Sequence, residues 1–326
     1  MNKLRRILVA IKNPAARRQP ALRKAAQLAQ ASGATLELFH AMSEPVYLDA
    51  FLMQGLTLQQ GQRQQQQRMV AKLEKHAAPL RESGLAVQVQ CEWDYPAYEA
   101  VIRRGVRGRA DLIVAERHAR RHVLPWLLRF NDWELLRRSP MPVLLVKQAK
   151  PWRAPAVLAA IDPSHGFAKP ARLDSQILDA ASTMAEVLGG KLHVAHAFAG
   201  VSLLGATLDP VPTATAELIE REAVREARKA FVDSVEKSPA RGARRHFVTG
   251  QAVDLIPLLV RRQRIGLVVM GAVSRSGLRR LVIGDTAEQV LDSLPCDALV
   301  VKPASFKSKV RSRGRGVQLV PTPSYT

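Results

Sequence analysis

The chain has 326 residues, 47% apolar and 24% charged, which excludes a disordered or membrane-embedded protein and is long enough for two ordinary domains with a core each. The formal charge of +21 attracts nucleic acid, anionic lipid and phosphorylated ligands alike, and so selects none of them. Cys91 and Cys296 lie in different halves, which argues against a disulfide scaffold and predicts a reduced, cytoplasmic setting.

Ile7 to Ile11 is an apolar run too short for a signal peptide or a membrane span. Bounded by turn residues, it reads as a fully buried parallel strand. Ala21, Leu22, Ala25, Leu28 and Ala29 recur at helical spacing until Gly33 closes the element. Leu36 to Ala41 is a second strand. An apolar loop follows, with Tyr47, Leu48, Phe51, Leu52, Met53, Leu56 and Leu58, and it must be covered, either by its own domain or across the domain interface, or as the roof of a lipophilic pocket.

The glutamine-rich run Gln59 to Gln67 reads as the solvated start of a helix, because Met69, Leu73, Ala77 and Leu80 continue a regular apolar face. A third strand over Ala86 to Cys91, a helix starting near Ala97, and strands at Asp111 to Glu116 and Val143 to Val146 complete the unit. Pro151 to Pro155 marks a boundary.

The same elements then recur in the same order. Val157 to Asp162 lies over Ile7 to Lys12, and Leu192 to Ala197 over Leu36 to Ala41. Gly266 to Gly271 lies over Asp111 to Glu116, and that register holds to Lys302. Between them run helices through Ile177, Leu178, Ala181 and Val187, and through Val224, Ala227, Phe231 and Val235, with a strand at Arg244 to Val248 and a helix starting near Ala252. The second loop is again apolar, with Val201, Leu203, Leu204, Leu208 and Val211.

Alternation of this kind predicts two tandem Rossmann-like α/β/α domains, each a five-stranded parallel sheet, at residues 1–150 and 154–304. Lys307, Lys309, Arg311, Arg313 and Arg315, among few apolar residues, predict a basic disordered tail over 305–326.

In an open parallel sheet, ligands bind beyond the carboxyl ends of the strands where the strand order reverses, here between the first and fourth strands. In the second unit these end at Asp162 and Gly271, and the run from Gly271 through Ser274 to Gly284, Asp285 and Thr286 follows. Glycines let backbone amides approach phosphate oxygens, and a helix starting after Gly284 offers unpaired amides and its positive end, with Thr286 able to cap it and donate a hydroxyl.

These runs resemble the universal stress protein family, whose pattern is Gly-x-x-Gly, nine residues, then Gly and Ser or Thr. The resemblance runs from about Arg5 to Pro303. It is most specific in Asn131-Asp-Trp-Glu-Leu-Leu-Arg-Arg-Ser-Pro140 and Gly284-Asp-Thr-Ala-Glu-Gln-Val-Leu-Asp292, which are similar to the tandem E-type members.

The resemblance implies the strand order 3-2-1-4-5 and an adenine nucleotide, ATP or AMP, in the second domain. Its site there would be Asp162, Gly271, Ser274, Gly284, Asp285 and Thr286, with Asp162 toward the adenine and ribose. Ser274 and Asp285 depart from the pattern, the latter setting a negative charge where phosphates would lie. In the first domain Lys12, Glu116, Ala119 and Arg129 replace the matching positions, and side chains of that bulk oppose close backbone approach.

Family relatives pair through their last strands. The resemblance therefore implies that Val143 to Val146 meets Leu299 to Val301 in an antiparallel contact, making one chain a pseudo-dimer.

The leading expectation is a non-catalytic cytoplasmic stress-response protein holding a small ligand, with a degenerate nucleotide site in the second domain. A lipophilic-ligand protein is one alternative. A nucleic-acid-associated protein acting through its basic surface is the second, although clustered aromatics for stacking single strands are absent. A slow ATPase ranks last, since no lysine stands next to Gly284 as in a P-loop. No catalytic residue and no metal ligand set emerges, and His40 and His196, which end the second strands, read as structural groups.

Overall fold

The computed structural model describes residues 4–47, 57–117, 130–163, 172–200, 213–271 and 284–320. It divides into two compact units: Asn2–Pro151 together with Lys307–Thr326, and Trp152–Phe306.

In the first unit β1 (Arg6–Ala10), β2 (Thr35–Met42), β4 (Val87–Trp93), β5 (Leu112–Glu116) and β6 (Val143–Val146) form a parallel sheet in the order β4-β2-β1-β5-β6. This is the expected third-second-first-fourth-fifth arrangement. Ile7, Leu8, Val9, Leu36, Leu38 and Leu112 to Val114 are almost wholly buried, and burying each such side chain contributes roughly 1.5–3 kcal/mol.

Helices α1 (Pro20–Ser32), α2 (Leu58–Glu82), α3 (Ala97–Arg107) and α4 (Phe130–Arg138) flank the strands. The apolar stripe of α1 is buried through Ala21, Leu22, Ala25, Leu28 and Ala29, and the helix stops at Gly33 in the left-handed conformation. The glutamine-rich run is indeed the start of a helix. Thr57 and Gln60 form a capping box, each side chain accepting the other's backbone N–H, at 3.3 and 2.9 Å. Gln66 Nε2 donates to the Cys91 carbonyl at 2.6 Å.

Two short strands were not foreseen. β3 (Val46–Tyr47) and β12 (Leu319–Val320) pair in parallel, with Val46 N–H donating to the Gln318 carbonyl at 2.8 Å. The basic tail, expected to be disordered from its composition, therefore runs against the first unit over its described residues. The physical reason is specific anchoring at Gly314 and Arg315, which a composition average cannot register.

In the second unit β7 (Ala156–Ala160), β8 (Leu192–Phe198), β9 (Arg244–Thr249), β10 (Ile265–Gly271) and β11 (Asp297–Val301) form a parallel sheet in the order β11-β10-β7-β8-β9. Its helices are α5 (Leu173–Val187), α6 (Thr213–Glu236), α7 (Ala252–Arg262) and α8 (Asp285–Ser293). Ala227, Phe231 and Val235 bury the stripe of α6, as their spacing predicts.

Cys91 and Cys296 are both buried, and burial pushes the Cys91 thiol up to about 12. Among the described residues, no helix is long and apolar enough to cross a membrane. The two apolar loops lie largely outside the described residues.

Candidate functional site

The crevice where the strand order reverses in the second unit lies between β7 and β10, which pair from Ala156 to Ala160 and Ile265 to Met270. Asp162 sits two residues past the end of β7. Its backbone N–H donates to Asp174 Oδ1 at 3.2 Å, and Asp174 lies in the first turn of α5. Its own carboxylate, a quarter exposed, lies 3.8 Å from His196 Nδ1, and that ring is buried.

Gly271 ends β10. A Cβ there would lie 2.8 Å from Leu173 Cδ2 and 3.2 Å from Ile177 Cδ1, so a side chain at this strand end would have to displace the tips of the α5 side chains. The glycine lets α5 pack closely on this strand end, a role that the phosphate argument did not foresee.

Gly284 is the N-cap residue of α8, with extended backbone at φ −66°, and makes no side-chain cap. Thr286 is therefore the second residue of the helix and does not cap it, which corrects the capping expectation. Asp285 and Glu288 both lie in the first turn. These carboxylates complement the helix dipole themselves and oppose a second anion at the same end. Ser274 lies outside the described residues, as do Arg275, Arg279 and Arg280, so the glycine run is placed at its two ends only.

The corresponding crevice in the first unit lies between β1 and β5, with Ala10 opposite Ala115. Lys12 follows β1 and Glu116 ends β5, so side chains stand where the second unit has Asp162 and Gly271. Ala119 and Arg129 lie outside the described residues.

His40 and His196, expected to end the second strands, lie two residues inside the ends of β2 and β8 and make structural hydrogen bonds. His40 Nδ1 bonds the Ile11 carbonyl at 2.8 Å, and His196 Nδ1 bonds the Ile161 carbonyl at 3.2 Å. Each ring thereby ties the second strand to the end of the first. Burial lowers the His40 pKa, keeping that ring neutral.

Asp174, Glu288 and Leu173 were missed in the sequence. The signal for the first two was present, since acidic residues gather in the first turns of helices. Among the described residues, no group of three or more His, Cys, Asp or Glu side chains is arranged to hold a metal ion.

The model of the universal stress protein family matches twice, over residues 3–147 and 157–302. The chain belongs to the universal stress protein family. It is similar to universal stress protein E of Photorhabdus laumondii, 25% identical over 315 residues that cover 94% of this chain and 97% of that protein. It is likewise similar to universal stress protein E of Salmonella typhi, 27% identical over 308 residues covering 90% and 92%. Among solved structures, a universal stress protein from Pseudomonas aeruginosa UCBPP-PA14 matches at a TM-score of 0.67 and 28% identity, covering 92% of this chain and 94% of that one. Two family domains in one chain and full-length similarity to E-type proteins make this a tandem, E-type universal stress protein, and a stress-response protein.

Proposed function

We propose that the protein acts without catalysis, by binding a small ligand at the carboxyl edge of the second unit's sheet, and that an adenine nucleotide is the ligand class the site was built for. The observation that carries this reading is the asymmetry of the two switch-point crevices. One has an aspartate and a glycine at its strand ends, followed by a helix that starts at Gly284. The other has a lysine and a glutamate there. Asp162 is suited to accept hydrogen bonds from the ribose or adenine side, whereas Asp285 and Glu288 weaken phosphate binding, so the affinity is lower than an uncharged first turn would allow.

The internal pairing of the two units belongs to the same proposal. Within each unit the last strand is the edge of its sheet, and Val143-Leu-Leu-Val146 and Leu299-Val-Val301 are wholly apolar. An apolar edge needs cover, and its twin in the same chain is available at high effective concentration. A chain that sediments as a monomer fits this reading, and separated halves that fail to associate contradict it.

Native mass spectrometry of the purified protein, then titration with ATP and Mg²⁺, tests the ligand. Bound adenine nucleotide that disappears in Gly284→Arg supports the second-unit site. Absence of nucleotide with a co-purified apolar mass rejects it in favour of a lipophilic ligand.

A further inference from the structure

In the first unit, an ion cluster closes the carboxyl end of β4. Asp94 follows that strand directly, and Glu99 and Arg103 lie on α3; all three are at least nine-tenths buried. Arg103 Nε donates to Asp94 Oδ2 at 2.7 Å and its Nη1 to Glu99 Oε2 at 3.0 Å, while Nη2 reaches the Tyr95 carbonyl at 3.4 Å. Two buried carboxylates thus share one buried guanidinium, which leaves a negative charge to be met from outside. Tyr98 Oη, at 3.4 Å from Glu99 Oε1, adds a neutral hydrogen bond, and the half-exposed Arg138 stays 3.9 Å from the same oxygen.

The group that meets the charge comes from the tail. Arg315 lays its guanidinium 3.5 Å from both Glu99 oxygens and 5.6 Å from the centre of the Tyr95 ring. Its backbone N–H donates to Asp94 Oδ1 at 2.8 Å.

The main chain is recognised as well. A Cβ at Gly314 would stand 3.0 Å from Asp94 Oδ2 and 3.1 Å from Asp94 Cγ, so any side chain here presses on the carboxylate that Arg103 holds in place. Gly316, at φ +75°, takes the left-handed turn that leads to β12 on β3. Charge alone would not call for glycines at these two places.

We propose that the loop after β4 in the first unit is a binding site for an arginine-bearing peptide segment, and that the chain's own tail fills it in cis. Asp94, Glu99 and Tyr95 read the guanidinium and the amide before it; β3 reads the extended backbone that follows by strand addition. Among the described residues, the second unit shows no matching cluster at the equivalent place. In the register that lays Asp111 over Gly266, Asp94 falls on Thr249, Glu99 on Asp254 and Arg103 on Leu258, whose side chain is exposed.

The test uses the full chain and a Gly314→Val variant, with a labelled synthetic peptide of residues 310–320 as probe, in about 0.15 M salt to screen surface charge. Fluorescence anisotropy is expected to show saturable binding to the variant, whose own tail is expelled, and none to the wild type, whose site is filled. An Arg315→Ala peptide is expected not to bind the variant. Equal binding to both chains, binding to neither, or undiminished binding of the Arg315→Ala peptide overturns the proposal. Hydrogen exchange supplies a second readout that does not depend on peptide affinity. The Arg315 and Val46 amides should exchange at least about tenfold faster in the variant, with β1 and β5 unchanged. Coil-like exchange of both amides in the wild type contradicts docking.

Discussion

The two units share a strand order and a histidine latch between their first two strands, yet they treat the carboxyl edge of the sheet in opposite ways. In the first, the crevice between the inner strands holds Lys12 and Glu116, and the outer part near β4 is closed by Asp94, Glu99, Arg103 and the tail. In the second, Asp162 and Gly271 leave the inner strand ends small and acidic, and the outer part carries no buried ion cluster among its described residues. A duplicated fold therefore keeps what the core requires and diverges at the strand ends, where packing imposes least.

The sharpest way to break this comparison is to remove the buried guanidinium. Arg103→Ala leaves Asp94 and Glu99 buried without their main partner and is expected to destabilise the first unit by about 3–5 kcal/mol. Leu258→Ala, at the equivalent place in the second unit, alters an exposed side chain and should stay within about 0.5 kcal/mol. Hydrogen exchange resolved by unit reads both, since one melting temperature for a chain of two units does not.

A smaller effect is expected at the end of β10. Gly271→Val forces a side chain into Leu173 and Ile177 and should cost the second unit about 1–3 kcal/mol. If instead the variant folds with unchanged stability and only loses ligand, the glycine serves the ligand and not the packing of α5.

The smallest is a difference in acid sensitivity. His193 Nδ1 and His246 Nε2 lie 3.1 Å apart with the rings stacked, so one nitrogen must donate and the other accept. Burial lowers the pKa of both; Arg244 acts on both in the same direction, Lys191 on His193, and His193 on His246. The folded rings refuse a proton that unfolded histidine takes up near 6.5, so this stability is complete above that pH and is lost as pH falls below it toward the lower folded values. The first unit has the same shift at His40. Denaturation monitored between about pH 7 and 5.5 should show the second unit weakening faster, and His246→Gln should flatten its slope.

Most of the fold was legible because apolar runs of five residues and stripes at helical spacing have few alternatives in a chain of this size. Val157 to Ile161 can only be an inner strand, and Leu73 with Ala77 can only face a core. The strand ends at Asp162 and Gly271 and the helix start at Gly284 were legible, but the packing around them was not. Gly271 was read as making room for a phosphate, whereas its nearest neighbours are Leu173 and Ile177, contributed by a helix that no local pattern links to it.

The tail was misread for a related cause. Five basic residues dominate its composition, while the two glycines that fix its course, Gly314 and Gly316, are meaningful only once Asp94 is in place. The Glu99 and Arg103 pair was visible as an i,i+4 couple, but nothing in its spacing announces that both are buried.

The central claim is that, of the two strand-order crevices, only the one in the second unit binds a small ligand. Hydrogen exchange of the full chain with and without saturating ATP and Mg²⁺ tests it most directly, because both crevices report in one experiment. Slowed exchange in residues 156–163, 265–271 and 284–293, with residues 6–12 and 112–117 unchanged, is the predicted result. Slowing confined to the first unit, or equal in both, would contradict it.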